Sequence, residues 1–255
     1  MRRFYFLIIC AVSVVLSSHG ANDGDYFQVE QIWYKVLSEE EGTAMVEYCD
    51  IYPAIDLLII PNTVSYQGKN YRVKGISPRA FSQHESAIHI VISEGIETIG
   101  YYAFAYTYKV KTIVIPGSIK EIGPMAFRGK EPDVEAPPGT YLPSEIYVRS
   151  AEVLNASDNT PEKMFGETLN FATLYLPLGS GDPSNYTLGS GFAHYGEFSP
   201  YDVNGDKLIN GGDVTALYSH LLDGKPVAYP VDVNGDGYFN ATDITTLYSH
   251  LLDDE

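Results

Sequence analysis

Apolar residues recur along the middle of this chain at a fixed interval. Ala80–Phe81, Ala103–Phe104 and Ala126–Phe127 follow one another every 23 residues, and Ile76, Ile99 and Ile122 keep the same step. So do Ile92 and Ile115, Ile96 and Ile119, and Gly100 and Gly123. A constant period of this length predicts stacked coils, each burying its apolar side against its neighbours. Residues 90–92 and 113–115 read as short strands with alternate side chains turned inward. The Ala-Phe pairs then fall on the opposite side of each coil, where a small residue beside a large one fills the space between turns. A β-sandwich also has isoleucine-rich strands, but would not hold three marks at one spacing.

The flanks of the repeat have their own patterns. Residues 25–73, with Ile32, Tyr34, Leu37, Ala44, Val46 and Tyr48, predict strands, and Gln67-Gly68-Lys69 reads as a hairpin turn. Residues 146–148 and 173–177 predict two more strands, while the proline-rich stretch 129–145 predicts an exposed loop. Near the C-terminus the period changes to that of a helix. Val214, Leu217 and Leu221 make one apolar stripe and Ile244, Leu247 and Leu251 its twin, predicting helices over 212–222 and 242–252. Pro226 and Pro230 break any helix between them.

Each predicted helix follows a carboxylate-rich loop. Residues 202–223 and 232–253 agree at 15 of 22 positions. Loop positions one, three and five are Asp202, Asn204 and Asp206, then Asp232, Asn234 and Asp236; Asn210 and Asn240 stand at position nine, Asp213 and Asp243 at twelve. Alternating oxygen donors on a curled loop suit calcium, a hard cation that takes six to eight oxygens. Position seven, Leu208 and Tyr238, would give a backbone carbonyl. The spacing is that of the EF-hand calcium loop, with Asp for Glu at position twelve. Gly237 meets the turn requirement at position six, but Lys207 replaces it in the first loop. A side chain there predicts a weaker or more slowly filled first site.

Charge sharpens this picture. The 255 residues carry 33 acids against 16 bases, a net charge of −17, and 10 of the acids with only 2 lysines lie in 200–255. That balance excludes nucleic acid as the main partner and adhesion to anionic lipid by charge. Arg2 and Arg3, the apolar run Phe4–Leu16, and Ser18 and Gly20 read as a cleaved export signal over 1–20. No second run of membrane length follows, so no membrane insertion is expected after cleavage. With Cys10 in the signal, Cys49 is left alone, without an internal disulfide partner, and reads as a core residue. His-Glu-x-x-His, Gly-x-Ser-x-Gly and P-loop motifs are absent, so no catalytic residues are assigned. Glu85, Glu94, Glu97 and Glu121 fall at turns of the repeat, where a solvated surface is expected.

The 23-residue marks, with Ile60–Pro61, Ile115–Pro116, Leu176–Pro177 and the variant Ile92–Ser93, resemble the BspA-like leucine-rich repeat family. That family's usual Cys after the Phe is replaced by His84, Thr107 and Lys130. The loop–helix, linker, loop–helix arrangement of 200–255 resembles a type I dockerin. Its recognition pair would be Gly211–Gly212 and Ala241–Thr242, which differ from the Ser–Thr type and leave the partner open. The resemblances imply a mainly β leucine-rich-repeat solenoid with an N-terminal β cap, plus a small α-helical calcium-binding dockerin. The corresponding segments are 1–20 signal, 21–75 cap, 76–198 solenoid and 200–255 dockerin. They also imply two calcium ions and a cohesin-like scaffold protein as partner, at a bacterial surface or outside the cell.

Three functions remain open on this reading. One is a secreted, non-catalytic binding or adhesion protein whose solenoid takes a protein or glycan ligand and whose dockerin meets a cohesin. Another is a glycan-binding or glycan-degrading component active in polysaccharide catabolism, with Tyr101, Tyr102, Tyr106 and Tyr108 as stacking candidates. The third is a dockerin-like module serving only as a structural calcium clamp. Calcium removal is expected to lower the melting of the C-terminal module and to leave the solenoid little affected.

Overall fold

The computed structural model describes residues 21–50, 55–84, 87–107, 109–129, 143–155, 161–166, 172–186, 191–223, 232–236 and 240–253. The export signal, Glu85, Tyr108, Lys130, most of the proline-rich stretch, the linker 224–231, Gly237 and Tyr238 lie outside them. The strands are β1 (Tyr26–Val29), β2 (Ile32–Ser38), β3 (Thr43–Cys49), β4 (Ile55–Ile60), β5 (Thr63–Tyr66), β6 (Lys69–Ile76), β7 (Ala87–Ile92), β8 (Thr98–Ile99), β9 (Thr112–Ile115), β10 (Glu121–Ile122), β11 (Glu145–Val148), β12 (Thr173–Pro177) and β13 (His194–Phe198). The short helix α1 (Pro161–Phe165) lies between β11 and β12, and α2 (Gly211–Asp223) and α3 (Ala241–Asp253) close the chain.

The strands form two sheets, and from β6 to β10 the chain visits them in turn, while β11, β12 and β13 all join one sheet. One sheet runs β13-β12-β11-β9-β7-β4, every pair parallel; the other runs β1-β2-β3-β6-β8-β10, with β5 beside β6. The 23-residue period is the strand register itself: Ile90 pairs with Ile113, Gly75 with Thr98, and Ile99 with Ile122. After β9 the step lengthens, Ile113 pairing with Ile146, because the proline-rich stretch is spliced into that coil.

Ile92, Ile115 and their neighbours fill the space between the sheets. Phe81, Phe104, Phe127 and Phe165 line it as a ladder, with ring centroids 5.1, 5.5 and 5.4 Å apart in near-parallel stacks. Backbone bonds fix that ladder, since the Phe81 N–H donates to the Ala103 carbonyl at 2.8 Å and the Phe104 N–H to Ala126 at 2.7 Å. Glycine is needed at 100 and 123 because coils touch there. A Cβ on Gly100 would lie 2.7 Å from the Ser77 carbonyl carbon, and one on Gly123 would lie 2.7 Å from that of Gly100. At the variant mark, Ser93 uses a hydroxyl proline lacks, donating to the Ile60 carbonyl at 2.6 Å.

Two expectations change. Inward alternation holds for Ile90, Ile92, Ile113 and Ile115, but Val91, Val114 and Tyr147 on the outer face are buried too, in a second cluster with Phe198. Where a parallel sheet is covered on its outer face as well, as at β7, β9 and β11, it has no polar side to alternate with. In the N-terminal strands Ile32, Tyr34, Ala44 and Val46 are buried, whereas Leu37 and Tyr48 are exposed. Leu37 faces out because β2 alternates, with Ile32, Tyr34 and Val36 inward. Tyr48 faces out because the register shift between Trp33 and Tyr34 puts an extra residue into β3 and breaks its alternation. The hairpin turn is a two-residue one: Gln67 and Gly68 both take positive φ and join antiparallel β5 and β6.

The coils are also tied by charge. Glu97 bridges Lys74 and Lys120, each 2.7 Å away and one period to either side. Glu94 accepts from the Gly117 N–H at 2.7 Å and the Ser118 N–H at 3.0 Å, capping the next turn. These two turn glutamates therefore bind neighbouring coils instead of merely facing water, while Glu121 is exposed.

Candidate metal centre

The two C-terminal loops fold by bending side-chain oxygens onto their own backbone. In the first, Asp202 accepts from the Gly205 N–H (2.9 Å) and the Lys207 N–H (3.0 Å), and Asn204 accepts from the Asp206 N–H (2.8 Å). Asp206 accepts from the Leu208 N–H (2.8 Å) and Asn210 from the Gly212 N–H (2.6 Å). Asp213 closes the ring by accepting from Asn204 (3.1 Å) and Asn210 (2.9 Å). The second loop repeats the plan: Asp243 accepts from Val233 (2.7 Å), Asn234 (3.3 Å) and Asn240 (2.9 Å), with Asn234 holding the Asp236 N–H at 2.8 Å. Asn, Asp and Ser are favoured where a backbone must curl this way.

The helices begin where the loops end, each one residue earlier and one later than its apolar stripe predicts. Val214, Leu217, Ile244 and Leu247 are buried together with Val203 and Val233 from the loops, and Leu221 and Leu251 pack on their rim. This small core brings the two loop–helix units together. His250 stacks on the Tyr201 ring with centroids 3.7 Å apart, a place at an internal contact.

Four loop carboxylates are buried: Asp202, Asp213, Asp232 and Asp243. Burial pushes the Asp243 carboxyl above the usual range, against the N–H donors that lower it. Among the described residues, no three carboxylates, imidazoles or thiols converge into a centre; the carboxylates accept from backbone N–H groups instead. The donor set itself is all oxygen, mixing carboxylates with asparagine carbonyls, and this chemistry fits calcium and not the softer ions that seek thiol or imidazole. Lys207 takes φ 68°, so position six of the first loop demands the left-handed backbone although it carries a side chain. The Leu208 side chain is exposed, leaving only its backbone for a ligand role.

Elsewhere the structure removes candidates. His84 is buried edge-on to Phe81, with both ring nitrogens lacking a hydrogen bond among the described residues, and burial lowers its pKa. Thr107, one period on, is buried and donates to the Phe104 carbonyl at 3.1 Å. Burial pushes the Cys49 thiol up to about 12, which keeps it protonated and inert. Tyr101 is exposed, and Tyr101 and Tyr102 both lie beside the Arg79 guanidinium, at 5.7 and 5.6 Å from the ring centroids. Sequence reasoning did not find the contact of the second loop with the repeats. The Arg149 guanidinium donates to the Asp232 carbonyl, and the Glu94 N–H donates to Gly235 at 3.0 Å.

Residues 60–132 match a BspA type leucine rich repeat region in 6 copies, and residues 200–252 match a dockerin type I domain. No curated protein sequence matches this chain. Similar solved structures include a leucine rich cell surface protein from Faecalibacterium prausnitzii A2-165, 16% identical over 68% of this chain and 43% of that one, TM-score 0.39. Another is a leucine-rich repeat protein from Bacteroides ovatus ATCC 8483, 20% identical over 66% of this chain and 40% of that one, TM-score 0.42. The chain thus spans about two fifths of the length of these two structures. Among the described residues, no helix is long and apolar enough to cross a membrane.

Proposed function

For a chain that carries a BspA type leucine rich repeat region and a dockerin type I domain, we propose a secreted, non-catalytic binding or adhesion protein that docks onto a cohesin-bearing scaffold through calcium. Its segments are an export signal at 1–20, a β cap at 21–75, a repeat solenoid at 76–198 and the docking module at 200–255. The solenoid takes a protein or glycan ligand. The observation that carries the reading is the duplicated loop–helix unit: two oxygen-lined loops, each leading into a helix, share one apolar core.

Two calcium ions would be held by Asp202, Asn204, Asp206, Leu208, Asn210 and Asp213 in the first loop and by Asp232, Asn234, Asp236, Tyr238, Asn240 and Asp243 in the second. Calcium, when bound, supplies the positive charge that offsets so many clustered carboxylates. The chain's own part is to hold the loops curled and the helices α2 and α3 side by side. Tyr218, Leu222, Tyr248 and Leu252 stay exposed on those helices and offer apolar area to a partner.

Capture by the full chain from the secreted proteins of its source, with calcium and with chelator, tests the reading. A calcium-dependent cohesin-bearing partner is the expected result. Its absence, with calcium still bound, leaves the module as an internal clamp. The glycan reading draws on Tyr101, which is exposed beside Arg79, and predicts glycan-array binding lost in Tyr101→Ala.

A further inference from the structure

The two calcium loops share every Asp and Asn donor but have different surroundings. In the first, Asn204, Gly205, Asp206 and Asn210 are exposed; their counterparts Asn234, Asp236 and Asn240 are half-buried, and Gly235 is buried. Among the described residues, the hydrogen bonds of the first loop stay within its own loop–helix unit, residues 199–223. The second loop is bonded to the repeats at two carbonyls, that of Asp232 at loop position one and that of Gly235 at position four.

The repeat side of this contact is built. Glu94 follows β7 and Arg149 follows β11, so both stand at the C-terminal ends of parallel strands with β9 between them. Glu94 is fixed by its two carboxylate bonds to Gly117 and Ser118, and the Arg149 N–H is fixed by the Ile115 carbonyl at 2.9 Å. Gly235, at φ 77°, lies so close that a Cβ would sit 2.7 Å from Glu94 Cγ and 3.3 Å from an Arg149 guanidinium nitrogen.

We propose that Glu94 and Arg149 are positioning residues for the second calcium loop, making that loop and the repeat stack one calcium-linked unit, a support the first loop lacks among the described residues. Bonds to the outward carbonyls of positions one and four hold the loop curled before calcium arrives. Outer contacts of this kind are worth roughly 10- to 100-fold in metal affinity. Linkage is reciprocal, so calcium at the second loop also stabilises the coils that hold it. The inference rests on the calcium reading above. Its sign is diagnostic: by Coulomb's law alone, removing a guanidinium beside an acidic loop would tighten calcium. Positioning requires the opposite.

The test is calorimetric titration of the full chain with calcium chloride in two backgrounds, Asp213→Ala to leave the second loop and Asp243→Ala to leave the first. Arg149→Ala should weaken the second loop roughly tenfold and leave the first unchanged. Gly235→Ala is the second variant, with Gly205→Ala, at φ 76°, as its control for backbone strain; the larger loss should follow Gly235→Ala. Unchanged or tighter binding at the second loop, or equal weakening of both loops, overturns the inference. Absence of calcium binding in both parent backgrounds overturns the calcium reading itself.

Discussion

Lys207 carries the clearest consequence of a single residue. It holds φ 68° at a loop position where glycine is favoured, and a non-glycine residue there costs about 1–2 kcal/mol. Its N–H still donates to Asp202, so the strain is borne for the loop's geometry. Lys207→Gly should therefore tighten calcium at the first loop by more than Lys207→Ala, which removes the charge but keeps the strain. Equal gains in a titration of the two variants would show that charge alone is at work. Residue identity made this legible from the sequence, because a turn's need for glycine is local. By contrast, Glu94 and Glu97 read as solvated turn residues in the sequence. Their partners lie on neighbouring coils, and a carboxylate's exposure depends on what the fold brings to it.

At the scale of elements, the coils are held by rows of equivalent residues. The phenylalanine ladder is one of them, and Phe104 sits inside it between Phe81 and Phe127. Phe104→Ala leaves a cavity with two stacked neighbours unfilled and should cost about 3–5 kcal/mol in denaturant unfolding of the repeats. The ion-pair row Lys74–Glu97–Lys120 gives a pH dependence. Bonds to Lys120 and Lys74 hold the Glu97 carboxyl at about 2, below its ordinary 4.5. A depressed carboxylate contributes stability that is present above its unfolded pKa and lost as pH falls through the folded one. Unfolding midpoints of wild type and Glu97→Gln should therefore differ at pH 5 and converge toward pH 2. A constant difference over that range would refute the role. The contribution is modest, since the pair is open to solvent and screened by salt.

The whole molecule joins these rows to the C-terminal module. Taken as separate modules, the two should respond differently to calcium removal, with only the second losing stability. The bonds from Glu94 and Arg149 to the second loop change that expectation. Scanning calorimetry of the full chain should show chelator lowering the module's transition strongly and that of the repeats measurably. Ligand that binds only the native form stabilises it by mass action, and contact carries part of that gain into the coils. A repeat transition indifferent to calcium would return the molecule to two independent parts. Burial of Val91, Val114 and Tyr147 outside the core belongs to this scale too, since Phe198, at the entry to the module, shares their cluster.

The sequence by itself did not mark the short strands β8 and β10 or the last strand β13, but it determined the 23-residue register, the strands at 90–92, 113–115, 146–148 and 173–177, both helices, and the spacing of the oxygen donors in the two loops. Each is written in a period or a fixed spacing, and periods survive without knowledge of distant contacts. Tertiary structure alone decided that Val91, Val114 and Tyr147 are buried on the outer face of the parallel sheet and that turn glutamates lock coils together. It also decided that two loops with the same donor spacing differ, the second being bonded to the repeats and the first, among the described residues, not. The shared Asp and Asn positions carry the same local bonds, as Asp213 and Asp243 show. The surface each loop meets is set by the chain's path through space and is not written in those positions.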